Sequence, residues 1–117
     1  MSVFDLEVKA SEGVVVVFAK GYCSADASGK LNGLLETLAK VNNLKLVMDF
    51  SDCRLINSPG VVVLVDFTMR VVDDFRGKFI ITGVSELQKS VFQMAGIFPL
   101  AGLADSLKNA IQNALAG

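Results

Sequence analysis

The side chains best placed to do chemistry sit close together in DFSDCRLINSPGVVVLVDF, residues 49–67. Asp49 and Asp52 could pair as ligands of a hard metal ion, Cys53 offers a thiol, and Ser58 offers a hydroxyl ahead of Pro59, Gly60 and an apolar run. The usual catalytic companion is missing, because the chain has no histidine. That removes Ser-His-Asp and Cys-His catalysis together with the commonest metal ligand. No EF-hand loop and no GxxxxGK[ST] phosphate loop occurs either. The expectation is a protein with no catalytic residues, no metal and no cofactor. On the residues alone Ser58 reads as the N-cap of a helix, its oxygen accepting from the N–H of Gly60 or Val61, since Pro59 has none. Cys53 reads first as a small loop or partly buried residue rather than a redox sensor.

The bulk properties narrow the function further. A chain of 117 residues suits one domain, taken as 1–117. A net charge of −1 without a basic cluster argues against a nucleic-acid partner, since the phosphate-neutralising contribution is absent. Apolar runs such as VVVVFA and VVVLV fall far short of the roughly 20 residues that span a bilayer, so no membrane insertion is expected. The opening MSVFDLEVKAS lacks the basic-then-apolar order of a secretory signal, which implies a cytoplasmic protein. Cys23 and Cys53 lack CxxC spacing; reduced thiols are expected, a disulfide between them being possible but unneeded.

The elements that position Ser58 can be read from periodicity. Residues 3–9 alternate as a half-exposed strand, and after the turn at SEG the β-branched run 14–19 makes a second, hairpin-paired strand. Ala27, Leu31, Leu34, Leu35, Leu38 and Val41 then follow a helical stripe, capped by Ser24 or Asp26 and ending at Asn42-Asn43. Residues 44–50 read as a central strand followed by a loop. For 61–65 β propensity favours strand. Pro59 as a first helical residue, the spacing of Leu64, Phe67, Val71 and Phe75, and Gly77 as a stop outweigh it, and a helix is expected. Residues 78–84 form a strand. A helix opens at Ser85-x-x-Gln88, a capping-box pattern, with Leu87, Val91, Met94 and Ala95 on one face. IFPL suits an edge strand and ADSLKNAIQNALA a last helix, with Phe98 and Leu100 packed into the core. The order β-β-α-β-α-β-α-(β)-α implies an α/β fold, a four- to five-stranded mixed, mostly parallel sheet with about four helices.

Taken together, LKLVMDFSDCRLINSPGVVVLV, GKFIITGVSELQKSVFQMAGI and ADSLKNAI resemble the STAS domain, the fold of the bacterial anti-anti-sigma factors, or anti-sigma factor antagonists. The resemblance covers nearly the whole chain. In that family an apolar strand ending in Asp leads to Asp-Ser-Ser/Thr-Gly and an apolar helix, and the strand-end Asp is more often structural than ligating. The resemblance implies a binding module that captures a kinase-type anti-sigma factor and is released when that kinase phosphorylates the motif's serine or threonine. Matched by position, that residue is Ser58.

Asn57 stands where the family has Asp, and Pro59 where it has a second Ser or Thr. Both departures bear on the phosphorylation step. GYCSAD resembles a family segment near the partner surface, so Tyr22, Ser24 and Asp26 join Asn57, Ser58, Pro59 and Gly60 as expected partner contacts. An alternative within the fold is an accessory subunit that binds the ABC ATPase of a lipid transporter and needs no phosphorylation.

Overall fold

Glu12 and Gly13 both take positive φ, 55° and 84°, and fold the alternating segment Asp5–Ser11 (β1) back onto Val14–Cys23 (β2) as an antiparallel hairpin. Two left-handed residues give a hairpin turn whose twist matches its strands, and glycine takes one of them without strain. The computed structural model describes residues 3–116; residues 1, 2 and 117, the ends of the single-domain span, lie outside the described residues.

Lys45–Ile56 (β3), Lys78–Thr82 (β4) and Gly102–Leu103 (β5) continue the sheet in parallel, in the order β1-β2-β3-β4-β5. The connections are Ala27–Leu38 (α1), Ser58–Met69 (α2), and Glu86–Met94 (α3) with the single turn Ile97–Leu100 (α4). Their apolar stripes share one core with the alternate strand residues Val17, Leu46, Met48, Phe50, Phe79 and Ile81. Leu107–Leu115 (α5) covers the other face, where Ala110 and Ala114 meet Val14, Val16, Val47 and Ile80. Consecutive right-handed crossovers place successive helices on one side of a parallel sheet, which leaves the other to the last helix. No described helix is long and apolar enough to cross a membrane.

The valine run is helical. Val61, Leu64, Phe67 and Val71 are buried at helical spacing, and that burial overrides β propensity. The helix widens into a π-helical turn at Arg70–Asp74, where the Phe75 N–H reaches back to the Arg70 carbonyl. Its left-handed terminal residue is Arg76 (φ 53°), not the expected Gly77. Gly77 instead lies where a Cβ would press on the Leu44 side chain at 3.1 Å.

Several expectations need correction. The central strand runs to Ile56 rather than 50, so Cys53 is a buried strand residue and not a loop thiol. IFPL is the turn α4, and the edge strand follows it at Gly102–Leu103. Phe98 packs on the core, but Leu100 is exposed. The first connecting helix ends at Leu38, short of Val41. The capping box at Ser85 and Gln88 forms, yet α3 does not bury Leu87, Val91 and Met94. It buries Phe92 and Gln88: the Phe92 ring stands edge-on to Phe50 at 5.5 Å, and Gln88 Nε2 donates to the Cys53 carbonyl at 3.0 Å. A buried carbonyl needing a donor chose the polar residue over the leucine.

Candidate protein-docking site

Beyond Asp49, which pairs with Thr82, β3 leaves β4 behind and continues beside β2 alone. Register shifts between Phe18 and Lys20 and between Lys20 and Tyr22 bend this two-strand ribbon. Bulges commonly re-aim side chains in this way. The ribbon ends where Cys23 lies opposite Ile56, and the Asn57 N–H donates to the Cys23 carbonyl at 3.1 Å.

That contact brings the two expected segments together. Gly60 in the first turn of α2 packs on the end of β2, where a Cβ would lie 2.3 Å from the Cys23 carbonyl oxygen. Only glycine fits there. Tyr22 and Ser24 are half-buried and Asp26 is exposed on the segment leading into α1. Asp26 occupies the N-cap position of α1 without a side-chain cap bond, while Ser24 Oγ accepts from the Asp26 N–H at 3.3 Å.

Ser58 is not the N-cap of α2. Asn57 is, with extended backbone and its Oδ1 accepting from the Gly60 N–H at 2.9 Å. Ser58 is the first helical residue and Pro59 the second. The Val61 N–H already bonds the Asn57 carbonyl at 3.0 Å. Within the first three helical residues, Ser58 alone keeps an N–H for an outside acceptor, and its hydroxyl has no part in capping. Ser58 and Pro59 are exposed and Gly60 is buried.

The exposed side of α2 continues from Ser58 to Val62, 68% exposed one turn on, and to Met69. Leu55 at the ribbon tip is 63% exposed. Sequence reading missed Leu55, Val62 and Met69. The available signal was a helix with more apolar residues than one buried stripe can use. The extended ribbon was missed because Ser51 and Asp52 interrupt the apolar run.

Asp49 accepts from the backbone N–H and the hydroxyl of Ser51, at 2.8 and 2.6 Å, and is buried where the strands end. Gly83, at φ 79°, closes over that carboxylate, which therefore organises the chain locally. Among the described residues no three His, Cys, Asp or Glu side chains group as a metal's ligands. Cys23 and Cys53 are free thiols. Burial, with a smaller contribution from Cys53, pushes the Cys23 thiol up to about 12, and burial raises Cys53 as well.

No family model matches the sequence, and neither does any curated protein sequence. Solved structures do match. RsbS from Moorella thermoacetica superposes with a TM-score of 0.78 at 16% identity, covering 93% of each chain. An anti-sigma-factor antagonist (STAS) domain protein from Planctomyces limnophilus gives 0.68 at 17% identity, over 95% of this chain and 98% of that one. The anti-sigma factor antagonist SpoIIAA, in its unphosphorylated form, gives 0.69 at 19% identity, over 98% and 99%. SpoIIAA of Bacillus is also solved in a phosphorylated form. At such identities the shared property is the backbone arrangement: this chain has the STAS fold of the anti-sigma factor antagonists.

Proposed function

We propose that the chain is a non-enzymatic, cytoplasmic anti-sigma factor antagonist. It captures a kinase-type anti-sigma factor at the surface formed by Tyr22, Ser24, Asp26 and Asn57 to Gly60, and phosphorylation of Ser58 ends the capture. The observation that carries this reading is an exposed Ser58 hydroxyl, released from capping by Asn57, on a surface with bare Val62 and Leu55. An apolar patch around a polar centre is the composition of a docking surface.

Phosphate at Ser58 would bring about −1.5 to −2 charge to the positive end of α2. The helix dipole and the Ser58 N–H favour that charge within the fold, so the domain keeps its structure. The partner must desolvate or repel the charge, and the complex weakens. The neutral Asn57 amide spares the phosphate a neighbouring carboxylate.

The test is titration of a purified anti-sigma kinase against the wild type, Ser58→Ala and Ser58→Asp, with phosphate incorporation from ATP followed by intact mass. Weaker binding by Ser58→Asp alone, and phosphate on the wild type but not on Ser58→Ala, is the expected result. Equal affinities for all three reject the switch. Pro59 stiffens the chain after the acceptor hydroxyl, and this favours one second reading: a phosphorylation-independent subunit of an ABC-type lipid transporter. Under that reading the ATPase subunit of the transporter binds all three proteins alike.

A further inference from the structure

We propose that two copies of this chain pair through the free edges of their β1 strands, antiparallel about a two-fold axis at Val8, joining two five-stranded sheets into one. Among the described residues β1 bonds only β2 and forms the end of the sheet. The strand is seven residues long with an unbroken register, and it carries neither a proline nor a bulge. Those are the devices that normally blunt an edge, apart from charge.

The charges on this edge match themselves. The two-residue turn makes Ser11 and Val14 a hydrogen-bonded pair, and by alternation Lys9, Glu7 and Asp5 also bond toward β2. Leu6, Val8 and Ala10 therefore direct their backbone N–H and C=O groups outward. With the strand laid antiparallel against a copy of itself about Val8, Val8 meets Val8 and Leu6 meets Ala10, both through those outward groups. Glu7 then stands opposite Lys9, and Lys9 opposite Glu7, at the non-hydrogen-bonded positions where side chains approach most closely. Centring the axis on Glu7 would oppose two carboxylates, and centring it on Lys9 two ammonium groups. Centring it on Leu6 would oppose Asp5 and Glu7, so among the registers centred from Leu6 to Lys9 the charge pattern favours the one at Val8.

The apolar side of the strand agrees. A groove of about 580 Å³ runs between β1 and α1; Leu6, Val8, Leu34 and Val41 are among its apolar lining, and the charged Asp5, Lys9 and Lys30 line it too. Val8 is 50% exposed and Val41 40%. A second copy across the two-fold axis brings its own Leu6, Val8 and Ala10 to that side of the sheet. The interface is isologous and closes at two chains, so it gives a dimer and no fibre.

The experiment is sedimentation equilibrium of the full chain and of Glu7→Lys, Lys9→Glu and the double swap, with thermal melts to establish that each is folded. The wild type should dimerise. Each single variant places like charges opposite each other twice, and should raise the dimer dissociation constant by roughly tenfold or more. The double swap should restore it, as should an equimolar mixture of the two single variants, whose strands are complementary. A wild type that stays monomeric at every concentration overturns the proposal. So does a dimer indifferent to the single variants, or one that neither the swap nor the mixture restores.

Discussion

Asn57 holds the Gly60 N–H at 2.9 Å and thereby leaves the neighbouring Ser58 hydroxyl unused by the fold. The two side chains separate stability from recognition. Asn57→Ala should cost about 1 kcal/mol, the usual loss on removing a cap. Ser58→Ala, at an exposed first helical position, should fall within about 0.5 kcal/mol of the wild type. Urea denaturation of both variants checks this. A larger loss for Ser58→Ala than for Asn57→Ala would return the cap to the serine.

Glycines in this chain divide sharply by what a methyl group would meet. At Gly60 it would lie 2.3 Å from the Cys23 carbonyl oxygen, backbone that cannot step aside while Asn57 is bonded to it. Gly60→Ala should cost about 2–3 kcal/mol or prevent folding, as overpacking does. At Gly29 in α1 nothing lies within 4 Å. Gly29→Ala should therefore stabilise by about 0.5–1 kcal/mol through helix propensity and the stiffer unfolded chain. Denaturant midpoints of the two variants should move in opposite directions.

The sheet and its helices were legible because the alternation in 3–9 and the stripe from Ala27 to Leu38 each have one dominant period. The helix at the valine run was legible only through its ends and its 64-67-71 spacing, since the valines themselves read as strand. The candidate site was legible through the order of segments around Ser58. Its bonding was not, because Asn57 and Ser58 are adjacent and both good caps, and only the chain's approach to Cys23 decides which side chain reaches Gly60. Polar satisfaction likewise hid the orientation of α3. Periodicity marks apolar stripes, but the Cys53 carbonyl that recruits Gln88 lies 35 residues away.

That orientation gives a prediction in which hydrophobicity misleads. Leu87 and Met94 are 75% and 87% exposed, so Leu87→Glu and Met94→Glu should each change stability by less than about 0.5 kcal/mol. Phe92→Ala removes a fully buried ring that packs edge-on against Phe50 and should cost about 3–5 kcal/mol. Gln88→Ala breaks the capping box and leaves the Cys53 carbonyl without its donor, so it should also destabilise, by about 1–3 kcal/mol. Thermal melts of the four variants give the comparison. Destabilisation by Leu87→Glu equal to that by Phe92→Ala would place α3 the other way round.

The two buried thiols make stability fall on the alkaline side. Burial pushes the Cys23 thiol from an ordinary 9.0 up to about 12, because the thiolate would lose its hydration beneath α2. Its folded pKa is thus above its unfolded value. Between 9.0 and about 12 the unfolded chain has released a proton that the folded chain retains, so unfolding gains as pH rises through that window. Below it both states hold the proton and the thiol adds no pH dependence. Cys53 is shifted the same way and should reinforce the slope. Two measurements follow. Native protein at neutral pH should react slowly with a thiol-specific reagent and quickly in denaturant, since only the exposed thiolate attacks. Denaturant unfolding followed from neutral pH into the window should lose more stability in the wild type than in Cys23→Ala, the difference cancelling the contribution of tyrosine and lysine. Parallel pH curves for the two proteins, or rapid native labelling, would show that Cys23 titrates as an open thiol and that α2 does not seal the end of β2.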